Sequence, residues 1–319
     1  MNSPLVSICM PAYNAGSYII ESINSVIDQS YKNWELIIVN DGSTDNTSEQ
    51  LEKLKDDRIK IYHQENKGQC TAANKAFSLS KGELIKFMDA DDLISPDFIK
   101  NQVEVIAGSE KTIASASWGR FYNNDLNTFK LVTDSIKSDR APIDWLVESM
   151  TGKQVMLQCA LWLIPRPILT VSGLWNEKLS LINDFEFFIR VFLKAEKISY
   201  ADDAILYYRS GLNQSLSGLK SKKGAESAYE SIDLGVKHML DYESSPRIRN
   251  LAANHFQHFV YDFYPSHASV TNKAEQKIKD FGGSSISYAS RGYTKILTQI
   301  IGWKACKKIK YTLSAFKNC

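Results

Sequence analysis

Leu36-Ile37-Ile38-Val39-Asn40-Asp41-Gly42-Ser43 is the stretch from which the fold can be read. Its first four residues are apolar and leave no polar face, as in a strand covered on both sides, which is the situation in a parallel sheet. Asn40 to Ser43 then stop the strand with turn-forming residues. Upstream, Val6-Ser7-Ile8-Cys9-Met10 is a similar strand ended by Pro11. Tyr18, Ile19, Ile23, Val26 and Ile27 recur between the two strands at helical spacing. Downstream a helix is expected from about Thr47 to Lys55, with Thr47 and Gln50 in capping-box spacing. Ile59 to Tyr62 reads as a third strand, Gln69 to Ser80 as a third helix and Leu84 to Met88 as a fourth strand. Repeated βα units of this kind predict an α/β fold with a doubly wound, mainly parallel sheet.

Beyond Asp92 the pattern changes. Ser95-Pro96 offers an N-cap and a first helical residue for a helix running to about Ala107. Residues 113–180 mix short strands, helices and Gly or Pro breaks, and Asp184 to about Lys194 reads as a helix. From about Gly224 the chain is helical in pattern. A boundary is expected in the Gly/Ser/Lys-rich stretch 219–224, dividing residues 1–220 from a helical region, 221–319. A length of 319 residues suits about two domains.

Composition narrows the function. Hydrophobic residues make up 44% and charged residues 23%, an ordinary globular profile. A net charge of +2 lacks the basic excess of a dedicated nucleic-acid binder. Cys9, Cys70, Cys159, Cys306 and Cys319 form no CxxC pair, so reduced thiols are expected rather than disulfides or a zinc site. No basic region precedes the first strand, and no apolar run approaches the ~18 residues that span a bilayer. A cytoplasmic protein is expected.

In parallel sheets ligands bind beyond the carboxyl ends of the strands. Three strand ends here carry polar loops: Pro11-Ala12-Tyr13-Asn14, Asn40-Asp41-Gly42-Ser43 and Asp89-Ala90-Asp91-Asp92. Any one alone reads as a turn; three on one edge read as a site. In the last, three carboxylates in four residues repel one another unless a cation sits among them. A hard divalent ion such as Mg2+ or Mn2+ takes oxygen ligands and also binds diphosphate oxygens. No His or Cys lies beside the cluster to suggest zinc, and Asp92 alone reads equally well as part of the turn before Ser95.

These segments, in this order, resemble the signature of family 2 glycosyltransferases with the GT-A fold. The resemblance rests on residues 6–14, on 35–47 (ELIIVNDGSTDNT), on Asn66-Lys67-Gly68 to Asn74 and on 89–92, and extends over roughly residues 4 to 215. It implies that Pro11, Ala12 and Tyr13 contact the nucleoside and that Asp41 hydrogen-bonds the base, typically uracil. It implies that Asp89 and Asp91 hold ribose, metal and diphosphate, and that Gly68 and Asn74 flank the nucleotide. Equally open is a helix-start role for Gly68 and a plain surface role for Asn74. Asn183-Asp184 falls where the family has an acidic pair, which puts Asp184 at the position of the catalytic base. A carboxylate taking the acceptor's proton opposite a metal-bound leaving group suits one in-line displacement with inversion. Asp184 also reads as a helix cap, and Glu186 as structural or acceptor-facing. Tyr207-Tyr208-Arg209, with Asn213 and Ser215, resembles the segment that closes over the diphosphate. Arg209 is then a diphosphate clamp or a structural ion pair. The family's histidine, a metal ligand, falls on Gly211, and none of the five histidines lies in a motif.

The expected reaction moves a sugar from a nucleotide-diphosphate sugar, a UDP-sugar by resemblance, to a hydroxyl of a lipid-linked or surface-polysaccharide glycan. A catalytically silent nucleotide-binding module stays open, given Gly211 and Asn183. A metal-dependent nucleotidyltransferase is the other alternative, and it lacks a P-loop or a DxDxT motif. Finally, residues 291–319 contain Arg291, Lys295, Lys304, Lys307, Lys308, Lys310 and Lys317 and no acid, with Trp303, Cys306, Ile309, Leu313 and Phe316 in an approximately helical stripe. Such a segment either packs on the protein or lies against an anionic membrane.

Overall fold

The computed structural model describes residues 3–133, 136–151, 156–212 and 221–317. Contacts cluster into two compact units, Met1–Leu216 and Ser217–Cys319. Part of the expected 219–224 boundary lies outside the described residues.

In the first unit, β1 (Val6–Ala12), α1 (Ile19–Ile27), β2 (Trp34–Asp41), α2 (Thr47–Leu51), β3 (Ile59–Gln64), α3 (Gln69–Leu79) and β4 (Leu84–Phe87) alternate as expected. β2 is buried along its whole length, which is why its apolar run is unbroken. β5 (Leu93–Ile94), α4 (Phe98–Ile106), β6 (Thr112–Tyr122), β7 (Asp125–Leu131), α5 (Pro142–Met150), β8 (Ile164–Pro165), α6 (Arg166–Ser172), α7 (Asn183–Phe192) and β9 (Lys197–Ser210) complete the unit. One sheet has the order β3-β2-β1-β4-β8, parallel except for β8. The chain winds outward from β1 to β3 and then returns to place β4 on the other side of β1. The crevice beyond the ends of β1 and β4 is therefore the topological switch point, where ligands of such sheets bind. A second sheet has the order β5-β9-β6-β7. Through it β9 runs antiparallel to β5, the strand directly after Asp92.

Two local expectations differ from the structure. α2 stops at Leu51, and Thr47 lies inside it rather than capping it. The Thr47 hydroxyl is used between loops: it accepts the Ala15 N–H at 2.9 Å and donates to Asp45 at 2.5 Å. α4 begins at Phe98, because the Ser95 side chain accepts the Ile205 N–H at 3.0 Å and ties β5 to β9.

The second unit consists of α8 (Lys222–Tyr242), α9 (Pro246–Phe263), α10 (Ala268–Asp280) and α11 (Tyr293–Lys317). Ile232, Val236, Met239, Phe256, Phe259 and Val260 form its core. No helix among the described residues is long and apolar enough to cross a membrane.

Candidate active site

β1, β2 and β4 deliver their polar ends to the switch point as the sequence suggested. Two loops are stitched together there. Asn14 N–H donates to Ser43 Oγ at 3.0 Å, Thr44 N–H to Asn14 Oδ1 at 2.8 Å and Gly16 N–H to Asp45 at 3.0 Å. This leaves Tyr13 exposed at the end of β1, its ring available for stacking, beside the half-buried Pro11 and buried Ala12.

The carboxylates of Asp89, Asp91 and Asp92 lie within 4.8 Å of one another, and they are the only metal-capable group of this kind among the described residues. Their surroundings differ. Asp92 is fully buried; its Oδ1 accepts Arg209 N–H at 2.8 Å and its Oδ2 accepts Gln158 Nε2 at 2.6 Å. Asp89 accepts Gln69 Nε2 at 2.8 Å on one oxygen and Gln158 Nε2 at 3.2 Å on the other. Asp91 retains its own backbone N–H as a partner. Burial is the largest cause holding all three carboxyls above their ordinary values, Asp91 at about 7, with mutual repulsion adding to it for Asp91 and Asp92. Hard oxygen donors that are crowded and underionised fit a divalent cation, with Asp91 as the most open ligand and Asp89 as the second. Asp92 instead anchors the cluster to β9.

Sequence reasoning missed the two glutamines. Gln158 carries no motif and is positioned from a distance. Lys86 on β4 is buried, its ammonium pushed well down by that burial, and it donates to the Ala160 and Trp162 carbonyls at 2.7 and 3.2 Å. That grip fixes the turn Cys159–Leu161, and Gln158 caps the turn by accepting Ala160 N–H at 2.6 Å. Gln69 opens α3, where Gly68, at φ 94°, breaks the preceding chain. Its Oε1 accepts Asn183 Nδ2 at 3.4 Å. A chain of amides and carboxylates therefore runs Asn183–Gln69–Asp89–Gln158–Asp92. It gives a reason for asparagine where the resemblance expects an acid: an amide donates to Gln69 and a carboxylate does not.

Asp184 lies in the first turn of α7, and its carboxylate accepts the Phe185 N–H at 2.9 Å. Burial raises its carboxyl to about 6, and the charge of Asp89 adds to the rise, which places Asp184 within electrostatic reach of the cluster. A carboxylate poised near neutrality is suited to general-base work. Glu186 is structural. It is buried and pairs with Arg190 through two bonds of 2.6 and 3.1 Å, while Arg190 caps the carbonyls of Ser172, Gly173 and Leu174.

Three predicted contact residues are occupied in other ways. Arg209, expected over the diphosphate, has a fully buried side chain beneath the cluster. Its Nε donates to the Asp91 carbonyl at 2.6 Å and its NH2 to Glu21 at 2.8 Å, with Tyr18 and Phe121 rings against the guanidinium. Arg209 thereby props the acidic loop from within the fold, with its Nη1 buried and without a hydrogen-bond partner among the described residues. Asn74 is consumed by the 175–177 loop: its amide donates to the Trp175 carbonyl and Glu177 at 2.9 Å each, and its carbonyl accepts Trp175 N–H at 3.0 Å. Asp41 is buried, and its oxygens accept Gln64 Nε2 and the N–H groups of Lys67 and Gly68 at 2.7 to 2.9 Å. It thereby fixes the 64–68 loop. Gly211 adopts φ 82°, a conformation that L side chains rarely take, which accounts for glycine where the resemblance expects histidine. Asn213 and Ser215 lie outside the described residues.

Residues 7–158 match the family model described as Glycosyl transferase family 2. The chain is 28% identical over 222 residues to glycosyltransferase GlyG of Streptococcus pneumoniae, a match covering 65% of this chain and 71% of that one. It is 45% identical over 105 residues to the putative teichuronic acid biosynthesis glycosyltransferase TuaG of Bacillus subtilis, covering 32% of this chain and 41% of TuaG. Among solved structures, S. aureus TarS 1–349 superposes with a TM-score of 0.64 at 19% identity, covering 87% of this chain and 79% of that one. TarS 1–349 in complex with UDP-GlcNAc gives 0.61 at 18% identity, covering 87% and 88%. The likeness to TarS is one of fold.

Proposed function

We propose that the chain, whose residues 7–158 match the model of family 2 glycosyl transferases and whose fold is like that of TarS 1–349, is an inverting transferase. In this reading it takes a sugar from a nucleotide-diphosphate donor, a UDP-sugar, to a glycan hydroxyl. One observation carries it: Asp184, half-buried at the head of α7, directly follows Asn183, whose amide is joined through Gln69 to Asp89 of the acidic cluster at the sheet's switch point. The pairing supplies a base on one side of the anomeric carbon and a diphosphate site on the other. Asp184 takes the acceptor proton as the acceptor oxygen bonds to the anomeric carbon, while the bond from that carbon to the diphosphate breaks and the nucleoside diphosphate leaves. Asp91 and Asp89 would hold Mn2+ or Mg2+, which when bound would supply positive charge for the leaving diphosphate. Tyr13 stacks on the base, with Pro11 and Ala12 shaping the nucleoside floor and Asp41 and Gly68 ordering its edge. Arg209 and Asn74 act as supports.

The acceptor is proposed to be a lipid-linked or surface-polysaccharide glycan reached at the cytoplasmic face of the membrane. The name of TuaG and the basic residues of 291–319 support that placement. A donor screen for nucleoside diphosphate release, with and without Mn2+, tests the proposal. Binding of UDP without turnover of any donor in the presence of acceptor glycans would instead favour a silent binding module.

A further inference from the structure

Of the sequence stripe 303–316, Trp303 and Cys306 are covered, while Ile309 and Leu313 are exposed. Cys306 is buried, and Trp303 packs against Tyr261, Tyr264 and Tyr288 with ring centroids 4.9 to 5.6 Å apart. Lys304 pairs with Glu275 at 2.7 Å, and Lys307 donates to the Tyr261 carbonyl. This stretch of α11 is held against the helical unit, whereas Ile309, Tyr311 and Leu313 further along the helix are exposed.

The part of α11 before Gly302 behaves differently. Gly302 has φ 77° and ψ 155°, so α11 breaks there into arms 293–301 and 303–317. Lys310 Nζ donates to Thr294 Oγ1 at 3.1 Å. In an unbroken helix those residues would stand roughly 24 Å apart, so the two arms fold back along each other as a hairpin. The first arm carries Tyr293, Ile296, Leu297, Ile300 and Ile301 at i, i+3, i+4, i+7 and i+8, one helical stripe. All five are exposed, Tyr293 at 88% and Ile300 at 74%. Arg291, Lys308 and Lys310 of the hairpin are exposed as well, as is Lys295 on the side of the arm opposite the stripe, and residues 281–319 contain no Asp or Glu.

We propose that the first arm of this hairpin, Tyr293 to Ile301, is the surface by which the protein lies in the interface of an anionic lipid membrane. The charge pattern selects that occupant. A second copy meeting this stripe across a twofold axis would bring like cations together with no carboxylate between them. An anionic headgroup layer provides the counter-charge, while the aliphatic side chains enter the acyl boundary without needing a shaped pocket. At nine residues the arm is too short to span a bilayer and lies flat. The inference sharpens the proposed membrane placement and depends on no catalytic step.

The test is sedimentation of the full chain with vesicles of phosphatidylcholine alone or with phosphatidylglycerol. The wild type is expected to bind the phosphatidylglycerol vesicles in a salt-sensitive way and the neutral ones weakly. Ile296→Asp with Ile300→Asp is expected to lower partitioning tenfold or more, and Arg291→Gln with Lys308→Gln by about thirtyfold, from ~1 kcal/mol per cation. These positions are exposed, so the variants keep the wild-type melting temperature. Absence of binding by the wild type, or unchanged binding by the isoleucine variant, overturns the proposal. So does sedimentation velocity showing that the isoleucine variant loses self-association, or an acidic protein competing where vesicles do not bind. UDP binding, measured in parallel, reports on the catalytic reading separately.

Discussion

Replacing Gln158 by leucine tests whether that single amide organises the acidic cluster. The native side chain donates to Asp92 at 2.6 Å and to Asp89 at 3.2 Å, and accepts Ala160 N–H at 2.6 Å. Leucine keeps most of the volume and removes all three bonds. With both carboxyls held above their ordinary values, each of the two bonds to them contributes about 0.5–1.5 kcal/mol, and an orphaned buried N–H costs about 1–3 kcal/mol. The expected loss is about 3–5 kcal/mol, a large share of a typical total of about 5–15 kcal/mol. For a unit of this size that lowers the melting temperature by on the order of 10 °C. Gln158→Glu separates geometry from bulk, because it retains the acceptor for Ala160 and places a carboxyl against Asp89 and Asp92. Buried beside two acids, that carboxyl has a folded-state pKa above its unfolded value of about 4.3. Its stability contribution is therefore intact below about pH 4 and is lost as pH rises through the folded value, so the gap to wild type widens from about pH 5 to 8. Melting curves across that range without metal, together with calorimetric titration of UDP with Mn2+, measure both effects. A leucine variant melting within about 2 °C of wild type and binding UDP with Mn2+ normally would refute the role given to Gln158.

Asp184→Asn should lower turnover by about 10²–10⁴ while leaving UDP binding intact; loss of UDP binding with unchanged turnover of bound donor would contradict the base assignment. With its carboxyl raised to about 6, Asp184 is protonated and inactive below that pH, so kcat/KM of the free enzyme should rise through pH 6 and flatten above it. The asparagine variant should lack that limb. Asp91→Asn should abolish strengthening of UDP binding by Mn2+ and raise the metal-free melting temperature above about pH 7, because a carboxyl held at about 7 is a destabilising charge once ionised. An unchanged response to Mn2+ would remove Asp91 from the metal site. Asn183→Asp replaces the donor to Gln69 by an acceptor and should weaken the site, and Gln69→Leu should then add little in the double variant; additive losses would break the proposed chain.

The sequence by itself determined the alternation of strands and helices, the all-apolar β2, the polar strand ends and the acidic cluster. These are properties of short stretches: burial on both faces demands Leu36 to Val39, and a strand end demands turn chemistry. Tertiary structure decided which polar groups are free. Asp41, Asn74 and Arg209 stand where the motifs put them, yet each is engaged by partners 26 to 118 residues away. Gln158, in no motif, reaches Asp92 across 66 residues because Lys86 holds its turn against β4. At the C-terminus, periodicity marked an amphipathic stripe, but Gly302 folds the helix back and covers Trp303 and Cys306, leaving Ile309 and Leu313 exposed together with the apolar residues of 293–301. Hydrophobic period is set by neighbours along the chain, whereas the partner of a hydrogen bond is set by what the fold brings beside it.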